Sequence, residues 1–400
     1  MRKIPSLCAA ALLSLALAGC ATPPARLHES LLTLDTHLDT PVFFGVEGWE
    51  FGDRHEYSDD GTQIDLPRMI EGGLDGGFFA TFIPQGPLTD EGREAAKRAA
   101  NKRLDEIYAM FAQYPGKIGI VRTSAEAHRL VARGQRFAFL SMENSYPMGV
   151  EPERGLAEFY ARGVRLASPV HTQHNDLATS STDIRAAAEP GLTELGRRWV
   201  REANRIGMLI DLSHSSDATL DDVLALSTKP IVLSHSGAKD VFRHPRNVDD
   251  VHLRRIAERG GVIQVAAFPD YLVEREQNPE RAAAIAQIRR DAATQRTAQV
   301  RRDTVRKLAE VNQRWPVTPA TFDQFMDHLL HVIRVAGIDH VGIGIDFDGG
   351  GGVEGLQDAT QYPRITERLL KEGYSRNDLA KLWGGNLLRV LDQAQDVERL

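Results

Sequence analysis

The chain has 400 residues, of which 42% are hydrophobic and 26% charged, and its formal charge is −7. This balance is typical of a globular protein and excludes a disordered or membrane-embedded chain. Charges of both signs are interspersed and form no basic stripe, so we expect no nucleic-acid partner. A chain of this length buries roughly 75% of its unfolded surface, so its fold needs no disulfide or structural metal.

The first twenty residues have the pattern of an export signal. Two basic residues precede an apolar stretch over 7–18, which is shorter than the ~20 residues of a membrane-spanning helix. Residues 17–20 read Leu-Ala-Gly-Cys and resemble the bacterial lipobox, in which the cysteine becomes the acylated first residue. We therefore expect a signal peptide over 1–20, lipidation at Cys20 and a tether over 21–30. The alternative is an ordinary cleaved signal with a chance cysteine.

The two cysteines, Cys8 and Cys20, both belong to this leader. The folded part would then contain no cysteine, which excludes disulfides, thiolate metal sites and cysteine nucleophiles. Ala21 is not the aspartate that resembles an inner-membrane retention signal. We expect a lipid-anchored protein of the cell envelope, at the periplasmic face of the outer membrane.

From residue 31 to residue 400 the sequence reads as one domain in which apolar runs alternate with amphipathic stretches. This alternation predicts strands with helical crossovers, and therefore a parallel sheet. The predicted strands are Leu31–Asp35, Gly77–Ile83, Phe137–Ser141, Val164–Val170, Met208–Leu212, Ile231–Ser234, Val262–Ala267 and Val341–Ile345. The clearest predicted helices are Glu91–Tyr114, Leu192–Ile206, Leu220–Leu226 and Phe322–Ala336. Eight strands predict an α/β fold, a (β/α)8 TIM-like barrel, with an open doubly wound sheet as the alternative.

A charged segment interrupts this alternation at about 271–316. It is rich in Arg, Glu, Gln and Ala and has few large apolar residues. Such a composition predicts an exposed helical excursion between the last two strands, in preference to an arm that binds a partner.

Polar residues of one chemical class follow the predicted strands. In a β/α barrel the active site lies at the carboxyl ends of the strands. Those positions hold His37, Asp39, Glu143, His171, His214, His235 and Asp346. A single residue of this kind is commonly a polar residue at a strand end whose hydrogen bonds are satisfied. The placement of all seven at strand ends predicts a functional site.

Imidazole and carboxylate groups are ligands that suit zinc or a similar divalent ion. His37 and Asp39 are separated by one residue, which puts both side chains on one face of an extended chain. With His214 and His235 the set exceeds what one tetrahedral catalytic ion with an open position uses, so two ions fit better. Glu143 has two oxygens and would bridge ions about 3.5–4 Å apart.

The same residues lie in segments that resemble the membrane dipeptidase, or renal dipeptidase, family of zinc peptidases. The resemblance covers about residues 31–391, and its order and spacing are specific. The segments that carry it are Asp35–Asp39, Leu209–His214, Leu233–Ser236, Arg246–Val248, Gly344–Gly349 and Asn386–Val390. One departure is Asn144, which follows Glu143 where animal members have glycine, and it puts side-chain preference in doubt.

The resemblance implies a role for each residue. His37, Asp39 and Glu143 would hold one Zn²⁺, while Glu143, His214 and His235 would hold the second. It further implies that His171 and Arg246 contact substrate and that Asp346 lies beside the metal-bound water. For Arg246 the alternative is a surface charge.

These assignments predict a zinc-dependent dipeptidase that uses two Zn²⁺ per chain, and the family resemblance implies that it tolerates a D-residue at the carboxyl end of its substrate. A hydroxide between the ions would attack the scissile carbonyl, Asp346 would carry the proton, and His171 would steady the oxyanion. The alternatives are a related two-metal barrel hydrolase acting on another amide or ester, such as a β-lactam, and a non-catalytic peptide-binding lipoprotein. A second copy of the chain is a further candidate partner.

Overall fold

The computed structural model describes residues 24–187, 190–276, 278–293 and 295–396. The predicted signal peptide and Cys20 lie outside these residues, as do the first residues of the predicted tether. None of the helices in the described ranges is long and apolar enough to cross a membrane.

The described residues form ten strands, and all of their pairings are parallel. They are β1 (Leu34–Leu38), β2 (Gly76–Phe82), β3 (Ile118–Ile120), β4 (Arg136–Glu143), β5 (Val164–Ala167), β6 (Leu209–Ile210), β7 (Val232–Ala238), β8 (Asn247–Val248), β9 (Val262–Val265) and β10 (Val341–Ile343). Each of the eight predicted strands overlaps one of them, and β3 and β8 are short additions.

The strands curl into a barrel that closes at two junctions. One sheet runs β1-β2-β4-β5-β6, with β3 beside β4, and the other runs β10-β9-β7-β8. An isolated parallel bridge between Asp211 and Val232 joins β6 to β7, and another between Leu38 and Phe347 joins β1 to the chain after β10. The predicted TIM-like barrel is therefore confirmed, and the open sheet is not observed.

The first predicted strand was placed three residues too early. Leu31 ends the turn after the first helix, through a hydrogen bond from its N–H to the carbonyl of His28. The prediction ends this strand at Asp35, but Asp35 lies inside β1, where its buried carboxylate accepts three hydrogen bonds. The predicted ligand His37 consequently lies within the strand.

Helices connect the strands and begin where the sequence provides caps. They are α1 (Pro24–Glu29), α2 (Tyr57–Asp60), α3 (Leu66–Glu71), α4 (Asp90–Ala112), α5 (Ser124–Val131), α6 (Pro152–Ala161), α7 (Glu194–Ile206), α8 (Asp217–Leu226), α9 (Asp250–Glu258), α10 (Pro269–Leu272), α11 (Pro279–Ala292), α12 (Ala298–Arg314), α13 (Phe322–Ala336), α14 (Pro363–Lys371), α15 (Arg376–Ala380) and α16 (Asn386–Gln395). Side-chain oxygens of Thr89, Thr193 and Thr321 accept hydrogen bonds from the first turns of α4, α7 and α13. Such caps satisfy backbone donors that have no partner within the helix.

The charged segment at 271–316 contains α11 and α12. None of the residues of α11 is buried, and α12 buries only Ala298 and Val311. The guanidinium of Arg301 on α12 stacks on the ring of Phe43, 3.7 Å from its centroid. Helix α12 thus contacts the chain that follows β1, while most residues of both helices are not buried.

The last helix closes the amino-terminal end of the barrel. Leu387, Leu388 and Leu391 of α16 belong to one buried cluster with residues at the beginnings of the strands, among them Leu34 and Phe137. The carboxyl ends of the strands are at the other end of the barrel, where the polar residues lie.

Candidate metal centre

One oxygen of Glu143 lies at the centre of the predicted site. Glu143 is the last residue of β4, and its Oε1 is 3.0 Å from Nε2 of His214 and 3.5 Å from Nε2 of His235. The same oxygen is 3.6 Å from Nε2 of His171 and 3.7 Å from Nε2 of His37. Four imidazole nitrogens, contributed by four strands or the loops that follow them, therefore converge on a single carboxylate oxygen.

Two more carboxylates extend this group on the side of β1. The Nε2 atom of His37 is 3.4 Å from Oδ2 of Asp39 and 4.0 Å from Oδ1 of Asp346. Ligand atoms of these three residues all lie within 4.8 Å of one another. The structure thus brings together the five residues predicted as metal ligands and places Asp346 and His171 beside them.

The donor atoms fit a divalent cation. Both ring nitrogens of His37 are buried with no hydrogen-bond partner among the described residues, although buried polar atoms are normally paired. The Nε2 atoms of His214 and His235 are 2.9 Å apart. Two nitrogens that bind one zinc ion tetrahedrally through bonds of about 2.0–2.1 Å lie about 3.3–3.4 Å apart, so a small separation of the two rings would admit the ion. Imidazole and carboxylate are also the donor types that zinc prefers.

The electrostatics of the group favour a cation as well. Burial raises the pKa of Glu143 to about 8, against the lowering effect of His37. Burial likewise raises the pKa of Asp346 to about 8. Burial lowers the pKa of His37, but Glu143 and Asp39 outweigh it, so that this pKa is well above its usual value. A bound divalent ion would replace these protons as the positive charge.

His171 lies between the metal group and solvent. Its ring is 4.1 Å from the ring of His214 and 4.8 Å from that of Phe82, and 21% of its side chain is exposed, against 4% for His214. Burial, followed by the charge of Arg246, lowers the pKa of His171 to about 3. The imidazole is therefore neutral near pH 7 and still carries one N–H donor.

The side chain of Arg246 is buried beside His214 and His235, so the alternative that it is a surface charge is wrong. One terminal nitrogen donates to the carbonyl of Ser213, and the other donates to the carbonyl of His235 at 3.0 Å and lies 3.3 Å from Nε2 of His214. The Nε–H group has no partner among the described residues. The guanidinium is thus fixed in place with donor capacity to spare.

Asp346 stands on a tightly constrained loop. Its φ angle of 71° is in the left-handed region, which aspartate and asparagine tolerate better than most residues. A Cβ atom on Gly349 would lie 2.1 Å from Oδ2 of Asp39 and 2.3 Å from Oδ1 of Asp346. Only glycine lets the loop pass this close to the two carboxylates.

Asp348 ties the same loop to the rest of the rim. Its carboxylate accepts a hydrogen bond from the hydroxyl of Thr40 at 2.6 Å and one from the N–H of Gln63 at 2.7 Å. Thr40 follows Asp39, so this bond connects the two loops that carry carboxylates of the site. Asp348 itself is not among the residues grouped around a metal position.

Asp35 is a supporting residue to which sequence reasoning assigned no role. Its carboxylate accepts hydrogen bonds from the N–H of His37 at 2.9 Å, the N–H of Ile345 at 3.0 Å and the hydroxyl of Tyr362 at 2.7 Å. It therefore fixes the residue before Asp346 relative to His37. The available sign was a charged residue inside an apolar strand, which needs buried partners.

The departure at Asn144 has a conformational explanation. Asn144 has a φ angle of 70°, a conformation usual for glycine that asparagine also adopts. Its side-chain oxygen accepts hydrogen bonds from the N–H of Tyr146 and from the side chain of Asn175, each at 3.1 Å. Asn144 thus adopts a backbone conformation usual for glycine, and its side chain is held by two neighbours in the turn after Glu143.

Three comparisons place the chain among known proteins. The family model described as membrane dipeptidase, peptidase family M19, matches residues 24–400. A dipeptidase of Aspergillus oryzae, aclJ, is 31% identical over 345 residues, which is 84% of this chain and 71% of that protein. The crystal structure of the probable dipeptidase PvdM from Pseudomonas aeruginosa is 30% identical, with a TM-score of 0.79 over 94% of this chain and 98% of the other. That of a Rhodobacter sphaeroides metallopeptidase, with a phosphinate mimic of the dipeptide L-Ala-D-Ala bound, is 26% identical, with a TM-score of 0.71 over 91% and 99% of the two chains.

Proposed function

This chain belongs to the membrane dipeptidase family, peptidase family M19, and is a hydrolase of dipeptides; from that premise we propose that it uses two zinc ions and accepts a D-residue at the carboxyl end of its substrate. The observation that carries the two-ion proposal is the convergence of four imidazole nitrogens on one oxygen of Glu143.

Glu143 would be shared by the two ions, and the other proposed ligands form two pairs. His37 and Asp39 would hold one ion with it, and His214 and His235 the other. By distance alone His171 also qualifies as a ligand, since it groups with Glu143 and His214. We assign it to the substrate because its side chain is several times more exposed than those of the other three histidines.

The residues of the chain then act on water and on the scissile carbonyl. When bound, two zinc ions supply a water of lowered pKa and polarise the carbonyl of the substrate. The carboxylate of Asp346 accepts a proton from the attacking water and returns it to the leaving amine. The neutral imidazole of His171 donates its N–H to the carbonyl oxygen as negative charge develops there.

Arg246 is proposed to bind the terminal carboxylate of the substrate, which makes it the length gauge of the site. A dipeptide has its scissile carbonyl one residue from that terminus, so tripeptides should be poor substrates. Arg246→Lys keeps the charge but loses the planar fork, so kcat/KM for dipeptides should fall by the equivalent of about 1.5–3 kcal/mol, the contribution of a hydrogen bond to a charged group.

The control for Arg246 is a dipeptide amide. The amide lacks the carboxylate, so it should be a poor substrate for the unmodified enzyme and nearly insensitive to Arg246→Lys. The measurement is kcat/KM for acid and amide with both proteins. Equal losses on both would mean that Arg246 acts through its bonds at Ser213 and His235 and does not bind the substrate terminus.

A panel of stereochemically defined dipeptides tests the substrate proposal. The related metallopeptidase with a bound mimic of L-Ala-D-Ala supports including D-residues at the carboxyl end. We expect release of free amino acids from L,D-dipeptides at rates comparable to those from L,L-dipeptides. Turnover of L,L-dipeptides alone would remove the stereochemical proposal, and turnover of a β-lactam without any dipeptide would favour the alternative amide hydrolase.

Membrane attachment is a separate proposal that rests on the lipobox around Cys20. We propose a lipid-anchored protein at the periplasmic face of the outer membrane. Cys20→Ser removes the thiol that carries the lipid, so the variant should stay unprocessed or be mislocalised, and detergent phase partitioning measures the change. Unchanged partitioning would contradict the anchor. Dimer formation stays a prediction that light scattering on the purified protein tests.

A further inference from the structure

The junction between β6 and β7 carries two of the proposed ligands. His214 follows β6 and His235 lies in β7, and their Nε2 atoms are 2.9 Å apart. These two strands are joined through the isolated bridge Asp211–Val232 and belong to different sheets. Because no ladder of paired residues fixes this junction, other contacts must hold the two imidazoles at ligand distance.

The carboxylate of Asp211 spans the junction. It is buried, and its Oδ1 accepts hydrogen bonds from the N–H of Ser213 at 3.0 Å and from the N–H of Ser234 at 2.9 Å. The Ser213 hydroxyl also donates to Oδ1 at 2.7 Å, and the Ser234 hydroxyl donates to Oδ2 at 2.6 Å. Ser213 precedes His214 and Ser234 precedes His235, so one carboxylate fixes the backbone before both histidines.

The Ser234 hydroxyl continues this connection to the imidazole of His235. Its oxygen lies 2.8 Å from Nδ1 of His235. Its single proton is directed to Asp211, so towards His235 the oxygen acts as an acceptor, and Nδ1 carries the ring proton. Nε2, which lies 3.5 Å from the oxygen of Glu143, then carries the lone pair. A histidine that binds metal through Nε2 needs this tautomer.

We propose that Asp211 is a positioning residue of the metal centre, which acts through the Ser234 hydroxyl to fix the tautomer and orientation of the His235 imidazole. The inference rests on the proposed function, because it takes His235 as a metal ligand. Asp211 itself is not among the residues grouped around a metal position.

Two serine variants test the connection. Ser234→Ala removes the hydroxyl between Asp211 and His235. Ser213→Ala removes a hydroxyl from the same carboxylate, and with it an acceptor for the N–H of His235 at 3.1 Å, but leaves the Ser234 connection in place. Ser213→Ala is therefore the matched control, because it removes at least as many buried hydrogen bonds as Ser234→Ala does.

The readout is metal affinity. The full chain, purified in detergent and stripped of metal, is titrated with Zn²⁺ against a chromophoric chelator. Ser234→Ala should weaken the affinity for one of the two ions by about 10–100-fold, the effect of losing an outer partner of a ligand, and Ser213→Ala by clearly less. The visible spectrum of the Co²⁺-substituted protein should change in Ser234→Ala alone, whereas melting temperatures of the metal-free variants should fall in both.

Equal loss of Zn²⁺ affinity in the two variants would overturn the inference, because the bonds to Asp211 would then serve only the fold. An unchanged Co²⁺ spectrum and affinity in Ser234→Ala would overturn it as well. Failure of the unmodified protein to bind Zn²⁺ would instead contradict the proposed function, so the two failures are distinguishable.

Discussion

Glu143→Gln should abolish dipeptide hydrolysis and remove both metal ions together. Glu143 Oε1 lies within 3.7 Å of the Nε2 atoms of all four imidazoles, and the substitution keeps the size of the side chain while removing the charge that would offset the two proposed ions. The affinity for each ion should fall by more than the ~10–100-fold that loss of an outer partner causes. Metal content after dialysis and kcat/KM are the measurements. Two retained ions with near-normal turnover would show that Glu143 does not bridge.

Thermal unfolding of the metal-free proteins separates metal loss from misfolding. In metal-free protein, burial raises the pKa of Glu143 from 4.5 to about 8. An acid with a raised folded-state pKa loses stability as the pH rises from its unfolded to its folded pKa, because the unfolded state releases the proton first. Glutamine has no proton to release. Metal-free Glu143→Gln should therefore melt above the metal-free unmodified protein at pH 8, with the difference shrinking towards pH 4.5; a lower melting temperature at pH 8 would indicate misfolding.

Asp346→Asn should retain both ions and lower kcat by about 10²–10⁴-fold, the usual contribution of a positioned acid–base group. Asparagine tolerates the left-handed backbone at this position as aspartate does, so the loop should keep its conformation. Loss of metal in this variant would make Asp346 a ligand. Full activity with both ions bound would exclude either role.

Asp348→Asn is the matched control for this experiment. Asp348 is a half-buried aspartate on the same loop with nearly the same φ angle, 68° against 71°. Asparagine there still accepts from the Gln63 N–H through its oxygen and can donate to the Thr40 hydroxyl. We expect kcat to change far less in Asp348→Asn than in Asp346→Asn. Comparable losses of kcat in the two variants would mean that the loop conformation determines the rate and that Asp346 does not act as a proton carrier.

The sequence predicted the barrel because each strand is an apolar run, and predicted the grouping of the polar residues because parallel strands end on one side. The two short strands β3 and β8 were not predicted, since Asn247–Val248 contains only one apolar residue and Ile118–Ile120 contains two around a glycine. The supporting contacts were beyond prediction for another reason. Tyr362 donates to Asp35 from 327 residues away, and only the closed barrel brings the two together.

The burial of Arg246 could likewise not be predicted from its sequence neighbours. Its sequence neighbours, Arg243 and His244, are those of a polar surface loop. The guanidinium is buried nevertheless, because the carbonyls of Ser213 and His235 accept its protons at the junction of β6 and β7. Those carbonyls belong to residues that are distant in sequence. The residues around Arg246 alone therefore could not show whether its side chain contacts substrate or is a surface charge.

The measurement that tests the two-zinc account most directly is a Zn²⁺ titration of the metal-free protein while hydrolysis of an L,D-dipeptide is followed. The account predicts that metal-free protein is inactive and that the rate rises until two ions are bound per chain. Full activity at one ion per chain, or hydrolysis that survives removal of all metal, would contradict it.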